Sequence, residues 1–224
     1  MVTATVAAPR VGQRLRITEI FRSLQGEALT AGLPTVFVRL TGCPLRCQYC
    51  DSAYAFSGGQ SMVLGDIVDQ VTAMQTRRVC VTGGEPLAQA GCHELLTRFC
   101  DLGLDVSLET SGAIDVTDVD SRVSRVVDIK TPGSLEEGKN LWSNLDVLDS
   151  SDQVKFVICD RADFDWALEM IEKHAMLERC TVWVSPSFEQ VELSDLAAWV
   201  LDSGIDVRLQ TQLHKLLWGD TPGR

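Results

Sequence analysis

Residues 36–52, VFVRLTGCPLRCQYCDS, decide how this chain is read. Val36, Phe37 and Val38 begin a β-branched, aromatic run of strand character. Gly42 interrupts it, and three cysteines follow at once as Cys43-x3-Cys47-x2-Cys50. A strand that opens into a loop rich in metal ligands suits an α/β fold, which carries its chemistry at the C-terminal ends of its strands. Arg39 stands inside the strand and, at period two, on the face of Phe37. A guanidinium among apolar neighbours needs an anion, because an unpaired buried charge is very costly. That anion is either an internal acid or the carboxylate of a ligand gripped by both arms of the fork.

Working outward, similar apolar runs recur at 16–21, 35–40, 78–82, 106–109, 125–129, 153–158, 180–184 and 205–209, and read as buried strands. Helical stripes lie between several of them. Leu64, Ile67, Val68, Val71 and Met74 share one face, and so do Cys92, Leu95, Leu96, Phe99 and Cys100. Phe164, Ala167, Leu168 and Ile171 form a third stripe; Leu193, Leu196, Ala197, Val200 and Leu201 form a fourth. Gly103 and Gly204 stand where C-terminal caps belong. Strand alternating with helix predicts a mainly parallel sheet, with strand starts about 25 residues apart from Arg78 onward. At 224 residues the chain is short for an eight-fold barrel of ~250. The expected fold is therefore α/β, a partial, open (β/α) barrel. We expect a flexible N-terminal tail over 1–14 and one domain over 15–224.

Lys plus Arg is 20 and Asp plus Glu is 31, a formal net charge of −11. That balance argues against nucleic acid as a partner, since such binding needs a surplus of cations to displace counterions. No apolar run approaches the ~18 residues of a membrane span. The start, MVTATVAAPRVGQR, lacks a charged region followed by an apolar one, so no secretory signal is read. The expectation is a cytoplasmic protein. There, clustered cysteines indicate metal or redox chemistry rather than disulfides.

Three thiolates within eight residues can face one metal centre, and no fourth cysteine is near. Zinc and closed 4Fe–4S sites usually take four ligands. Three would leave one iron open to chelate something else, and a zinc site completed from afar is the alternative. Thr82-Gly83-Gly84-Glu85-Pro86 ends the run at 78–82, and its two glycines permit close backbone approach and positive φ. Glu109 ends the next strand, a position that usually faces a site. Asp128 and Lys130 flank Ile129 and point to one face, and Gln153 and Lys155 repeat the pattern. Lys155 is either an interior cation for an anionic ligand or a solvated strand end. The remaining cysteines, Cys80, Cys92, Cys100, Cys159 and Cys180, read as small core residues.

The cysteine motif, with Tyr49 as the aromatic before its last member, resembles that of the radical SAM superfamily. The set EIFRSLQGE (19–27), VFVRLTGCPLRCQYCDS (36–52), TGGEP (82–86), LETSG (108–112) and the terminal HKLLWGD (214–220) resembles the 7-carboxy-7-deazaguanine synthase family. The resemblance implies a shortened radical SAM barrel and a homodimer. It implies that 6-carboxy-5,6,7,8-tetrahydropterin becomes 7-carboxy-7-deazaguanine by ring contraction and loss of ammonia, in 7-deazapurine (queuosine) biosynthesis. It implies a 4Fe–4S cluster on Cys43, Cys47 and Cys50, S-adenosylmethionine (SAM) on its open iron, and Mg²⁺. A flavodoxin or ferredoxin would supply the electron.

By position in the family pattern, Leu24, Gln25, Gly26, Glu27, Arg39 and Thr82 would contact the pterin. His214 would close over it from the C-terminal end. Tyr49, Gly83, Gly84, Glu85, Glu109, Asp128, Lys130 and Ser185 would contact SAM. Ser52 replaces the family's threonine as the Mg²⁺ ligand. This chain reads DIKTP at 128–132 where some relatives read SPK, which loosens that part of the match. Two rivals are a glycyl-radical activating enzyme, which acts on a protein and needs no LQGE element, and a non-catalytic metal-binding module.

Overall fold

The computed structural model describes residues 12–219, 221 and 223. The chain opens with β1 (Arg14–Leu24), β2 (Pro34–Leu40) and β3 (Gln60–Val63). Then come α1 (Leu64–Ala73), β4 (Arg78–Gly83), α2 (Cys92–Asp101), β5 (Asp105–Thr110), β6 (Ser124–Ile129) and β7 (Gln153–Ile158). The last elements are α3 (Arg161–Lys173), β8 (Thr181–Pro186), α4 (Leu193–Ser203), β9 (Arg208–Leu209) and α5 (Leu213–Trp218). Residues 1–11 of the expected tail lie outside the described part, and Arg14 already pairs with Val63 across β1 and β3.

The described strands form one sheet in the order β3-β1-β2-β4-β5-β6-β7-β8-β9. Every neighbouring pair from β2 to β9 is parallel, whereas β1 runs antiparallel to both β2 and β3. The sheet does not close, because β3 and β9 are its two edges. It curls, since β1 at one side and β8 at the other line the same cavity. This is the partial, open barrel expected from strand spacing.

Alternation along the strands divides core from cavity. Val36, Val38 and Leu40, Val79 and Val81, Val127 and Ile129, and Val154, Phe156 and Ile158 are buried in the core. They share it with Ile67 and Val71 of α1, Leu95, Leu96 and Phe99 of α2, Phe164 and Ala167 of α3, and Leu196 of α4. The residues between them (Phe37 and Arg39, Thr82, Asp128, Lys155 and Val157) line the cavity instead. The first three expected helical stripes face the core, whereas in the fourth only Leu196 is buried and Val200 packs beside it, with Leu193 and Leu201 exposed to solvent. Gly103 and Gly204 adopt φ of +74° and +65° just past α2 and α4.

Three departures have local causes. The run at 205–209 pairs only over Arg208–Leu209, because a tight turn joins Val207 N–H to the Ile205 carbonyl at 2.8 Å. β3 is short and half polar, which left it without a strand signal. No α-helix separates β5 from β6 or β6 from β7; irregular loops and 3₁₀ turns such as Trp142–Val147 fill those crossings. Asn144 holds the longer one by accepting from Val116 N–H at 3.1 Å and donating to the Ile114 carbonyl at 2.9 Å.

Candidate active site

The cavity has a volume of about 960 Å³ and lies at the C-terminal ends of the parallel strands. Its wall joins the cysteine loop, the 24–27 loop, and strand ends from β4 to β8. The cysteine loop is built on backbone bonds. Gly42 N–H donates to the Ala55 carbonyl at 2.8 Å, and Gly84 and Glu85 N–H donate to the Leu40 and Gly42 carbonyls at 3.2 and 2.7 Å. A Cβ at Gly84 would stand 2.1 Å from the Gly42 carbonyl oxygen, and one at Gly83 would stand 2.7 Å from that of Leu40. Close approach is thus why both positions are glycine. The expected positive φ is absent at both, so the approach is steric rather than conformational.

Cys43, Cys47 and Cys50 are half-buried free thiols, and all three line the cavity. Burial raises the Cys43 and Cys47 thiols, the second to about 11 despite the pull of the Lys130 charge. Among the described residues, no three His, Cys, Asp or Glu side chains are gathered tightly enough to grip a single ion. A cubane takes each thiolate on a different iron, so its ligands need not share one point. Three polar atoms beside the loop are buried with no partner in the protein: the Tyr49 hydroxyl, Asp128 Oδ1 and the Ser187 hydroxyl. All three residues line the cavity, as does Ser185. Buried polar groups are nearly always satisfied, so this end is shaped for a polar ligand. Ser52 lines the same end, its hydroxyl 3.8 Å from Cys50 Sγ.

Several charged side chains elsewhere in the cavity are paired. Lys130 Nζ lies 3.0 Å from Asp128 Oδ2, with Lys155 Nζ 3.7 Å from the same oxygen. Lys155 also donates to Glu27 Oε2 at 2.8 Å, so it is an interior cation and not a solvated end. Burial alone would push Glu27 up. The Lys155 charge and hydrogen bond, helped by Gln212, outweigh burial and hold Glu27 down at about 2. Burial likewise opposes the charge on Lys155, but Glu27 and Asp128 raise its pKa well above the ordinary lysine value.

Arg39 donates through Nε to Glu19 Oε1 at 2.8 Å, so the internal acid foreseen as one of its two partners exists. Its Nη1 makes only a long contact of 3.5 Å with the Gly83 carbonyl. Thr82 and Gln25 donate to the two oxygens of Glu109 at 3.1 and 3.3 Å. Glu109, expected with SAM, therefore sits among the residues expected at the pterin. Gly26 packs under the C-terminal segment: a Cβ there would stand 2.3 Å from His214 Nδ1, and its carbonyl accepts from Leu213 N–H at 3.1 Å. Leu24 and His214 complete this end.

Two expectations need correction. Glu85, expected at SAM, is fully buried and does not line the cavity. Its carboxylate accepts from Thr110 Oγ1, from Ser111 N–H and Oγ, and from Leu87 N–H, which ties the end of β4 to that of β5. Cys159, expected in the core, is half-buried at the end of β7, where Gln48 Nε2 of the cysteine loop donates to its Sγ at 3.5 Å. Cys80, Cys92, Cys100 and Cys180 are buried as expected. Asp220, within the terminal motif, lies outside the described residues.

Among the cavity residues that carried no assignment from the sequence are Glu19, Tyr54 and Gln212. A signal for the first was available. Glu19 and Phe21 repeat at period two the pattern of Arg39 and Phe37, and the register pairs Glu19 with Arg39 and Phe21 with Phe37. The two phenyl rings stack at 5.1 Å. Gln212 had no local signal, since it bridges Glu27 Oε1 and Asp51 Oδ2, both at 3.0 Å, from far along the chain.

Residues 37–182 match the Radical SAM superfamily. A 7-carboxy-7-deazaguanine synthase from Chlorobaculum tepidum is 42% identical over 207 residues, covering 91% of this chain and 94% of the relative. One from Thermoplasma acidophilum is 34% identical over 209 residues, covering 92% and 99%. The crystal structure of QueE from Escherichia coli superposes with a TM-score of 0.74 at 21% identity, over 90% of this chain and 95% of that one.

Proposed function

The chain belongs to the 7-carboxy-7-deazaguanine synthase family of the radical SAM superfamily, and from that membership we propose how its residues divide the cavity. The activity is 7-carboxy-7-deazaguanine synthesis, a carbon–nitrogen lyase reaction in queuosine biosynthesis, on a pterin substrate. A 4Fe–4S cluster and SAM, which the superfamily implies, supply radical chemistry when bound, beginning with abstraction of a hydrogen atom from the substrate. The observation that carries the assignment of residues is that a single cavity wall holds the three thiols, the 24–27 loop and Arg39.

Cys43, Cys47 and Cys50 would hold the cluster. Tyr49, Lys130, Asp128, Ser185 and Ser187 would hold SAM, supported by the three unpartnered buried oxygens in that set. Gly83 and Gly84 would leave their peptide groups open toward it. Arg39 would offer its Nη edge to the substrate carboxylate, since its short bond is made through Nε and Nη1 has only the long contact to the Gly83 carbonyl. Gln25, Gly26, Thr82 and Glu109 would line the pterin, and Leu24 would pack against it. Glu27 neutralises Lys155, which leaves the substrate's negative charge to the Nη edge of Arg39 rather than to Lys155. α5 and His214, resting on Gly26, would exclude water. Ser52 would contribute one oxygen to Mg²⁺, which takes few protein ligands and completes its octahedron with water and substrate oxygens. We further propose a homodimer, a flavodoxin or ferredoxin as electron donor, and the cytoplasm as the compartment that keeps the thiols reduced.

Anaerobic incubation of reconstituted protein with SAM, a reductant and 6-carboxy-5,6,7,8-tetrahydropterin should yield 7-carboxy-7-deazaguanine. Consumption of SAM without that product, under conditions where the cluster is intact, would overturn the assignment.

A further inference from the structure

The Arg39 fork is held by a device that nothing in the cysteine or LQGE motifs requires. β1 carries a bulge between Ile17 and Glu19. Ile17 pairs with Leu40, and the next pair is Glu19 with Arg39, so Thr18 is the extra residue. Without the bulge, Thr18 would stand opposite Arg39. Bulges beside sites re-aim a side chain in this way. The re-aimed Glu19 accepts from Arg39 Nε at 2.8 Å through Oε1, and the same oxygen accepts from the Tyr54 hydroxyl at 2.8 Å. The Arg39 guanidinium carbon lies 5.8 Å from the Tyr54 ring centroid. Tyr54 belongs to the 3₁₀ turn Ala53–Phe56 that follows Cys50, and it is 53% exposed at the cavity mouth.

We propose that Glu19, locked by Tyr54, is a positioning residue that aims the Nη edge of Arg39 at the substrate carboxylate and ties that aim to the order of the cysteine loop. This rests on the reading that Arg39 takes the carboxylate. A guanidinium presents two edges, and a carboxylate on Nε leaves the Nη pair in a fixed plane, here with only a 3.5 Å contact from Nη1 to the Gly83 carbonyl. Glu19 cannot swing away without breaking the Tyr54 bond. Tyr54 in turn moves with the cysteine loop, so a disordered loop loosens the fork.

An opposing effect makes the inference testable. Glu19 is an anion near the place proposed for an anionic ligand. If it merely competed for Arg39, neutralising it would tighten binding. The probe is fluorescence titration of the holoenzyme with aromatic 6-carboxypterin, which keeps the carboxylate and pterin edge and needs no turnover. Glu19→Gln should weaken binding about tenfold, the scale of one charge-assisted hydrogen bond. Tyr54→Phe should weaken it about threefold, a smaller loss because the Arg39–Glu19 bond itself remains. In an Arg39→Ala background, Glu19→Gln should change nothing further, because Glu19 acts through Arg39. In turnover, KM should rise by a larger factor than kcat falls. Cluster absorbance identical to the parent shows that each variant is folded and loaded, and Tyr54→Phe serves if Glu19→Gln is not. Unchanged or tighter binding in Glu19→Gln, with Arg39→Ala weakened, would overturn the inference alone. Unchanged binding in Arg39→Ala would overturn the clamp reading beneath it.

Discussion

Glu27 and Gly84 show how single positions are fixed by opposite means, one by charge and one by the absence of a side chain. Glu27 has its pKa depressed from 4.5 to about 2 through Lys155 and Gln212, against the opposing push of burial. Its contribution to stability is complete above the unfolded value and is lost as pH falls from 4.5 toward about 2. Glu27→Gln should therefore lower stability at neutral pH and flatten the acid limb of the stability–pH curve in that window. Urea unfolding at a series of pH values checks this, and an unaltered acid limb would contradict it. At Gly84, an added methyl would meet backbone, not a movable side-chain end. Gly84→Ala should cost about 1–3 kcal/mol, the usual scale of overpacking. It should also displace the cysteine loop, read as lost iron–sulfur absorbance after reconstitution.

Strands and helices were far more legible than the site they build. Every apolar run in the sequence became a strand, and every i, i+3, i+4 stripe became a helix, because burial on one face leaves a periodic trace. β3 and α5 left no such trace: the first is short and partly polar, and no residue of the second is buried. The cysteine loop and Arg39 could be read because unusual residue types stand in unusual places. Glu85 does not follow the role its place in the TGGEP pattern implies, because a motif does not tell an acid that faces a ligand from one that ties two loops together. The hand of the β1–β2 pairing was equally silent, since alternation does not distinguish antiparallel from parallel neighbours.

At the opposite ends of β6 and β7 from the cavity, Arg125 and Asp152 form a buried pair with Nη2 to Oδ2 at 2.6 Å and Nε to Oδ1 at 3.0 Å. Asp152 also accepts from the Arg125 and Asp149 backbones at 2.8 and 3.0 Å. Arg125→Met would leave that acid buried without its cation, at a cost of about 3 kcal/mol or more. Chemical unfolding should show an earlier midpoint, whereas the binding of SAM at the other end of the strands should keep its affinity in the folded enzyme.

For the molecule as a whole, the charge of −11 and the proposed anionic ligand pull in different directions. Local pairing quenches Lys130 and Lys155, so attraction is short-ranged while the surrounding field repels. Raising ionic strength from about 0.01 to about 0.15 M shortens the screening length from ~30 to ~8 Å. It should therefore speed association of 6-carboxypterin in stopped-flow measurements. A rate that falls with added salt would mean that local cations dominate the long-range field.

Gln212 reaches back 161 positions to Asp51, beside the last cysteine of the loop, so the cavity wall joins an early part of the chain to a late one. During synthesis at about 5–20 residues per second, the loop emerges roughly ten to thirty seconds before the segment that covers it. The nascent chain thus passes through an interval with its thiols made and its lid unwritten.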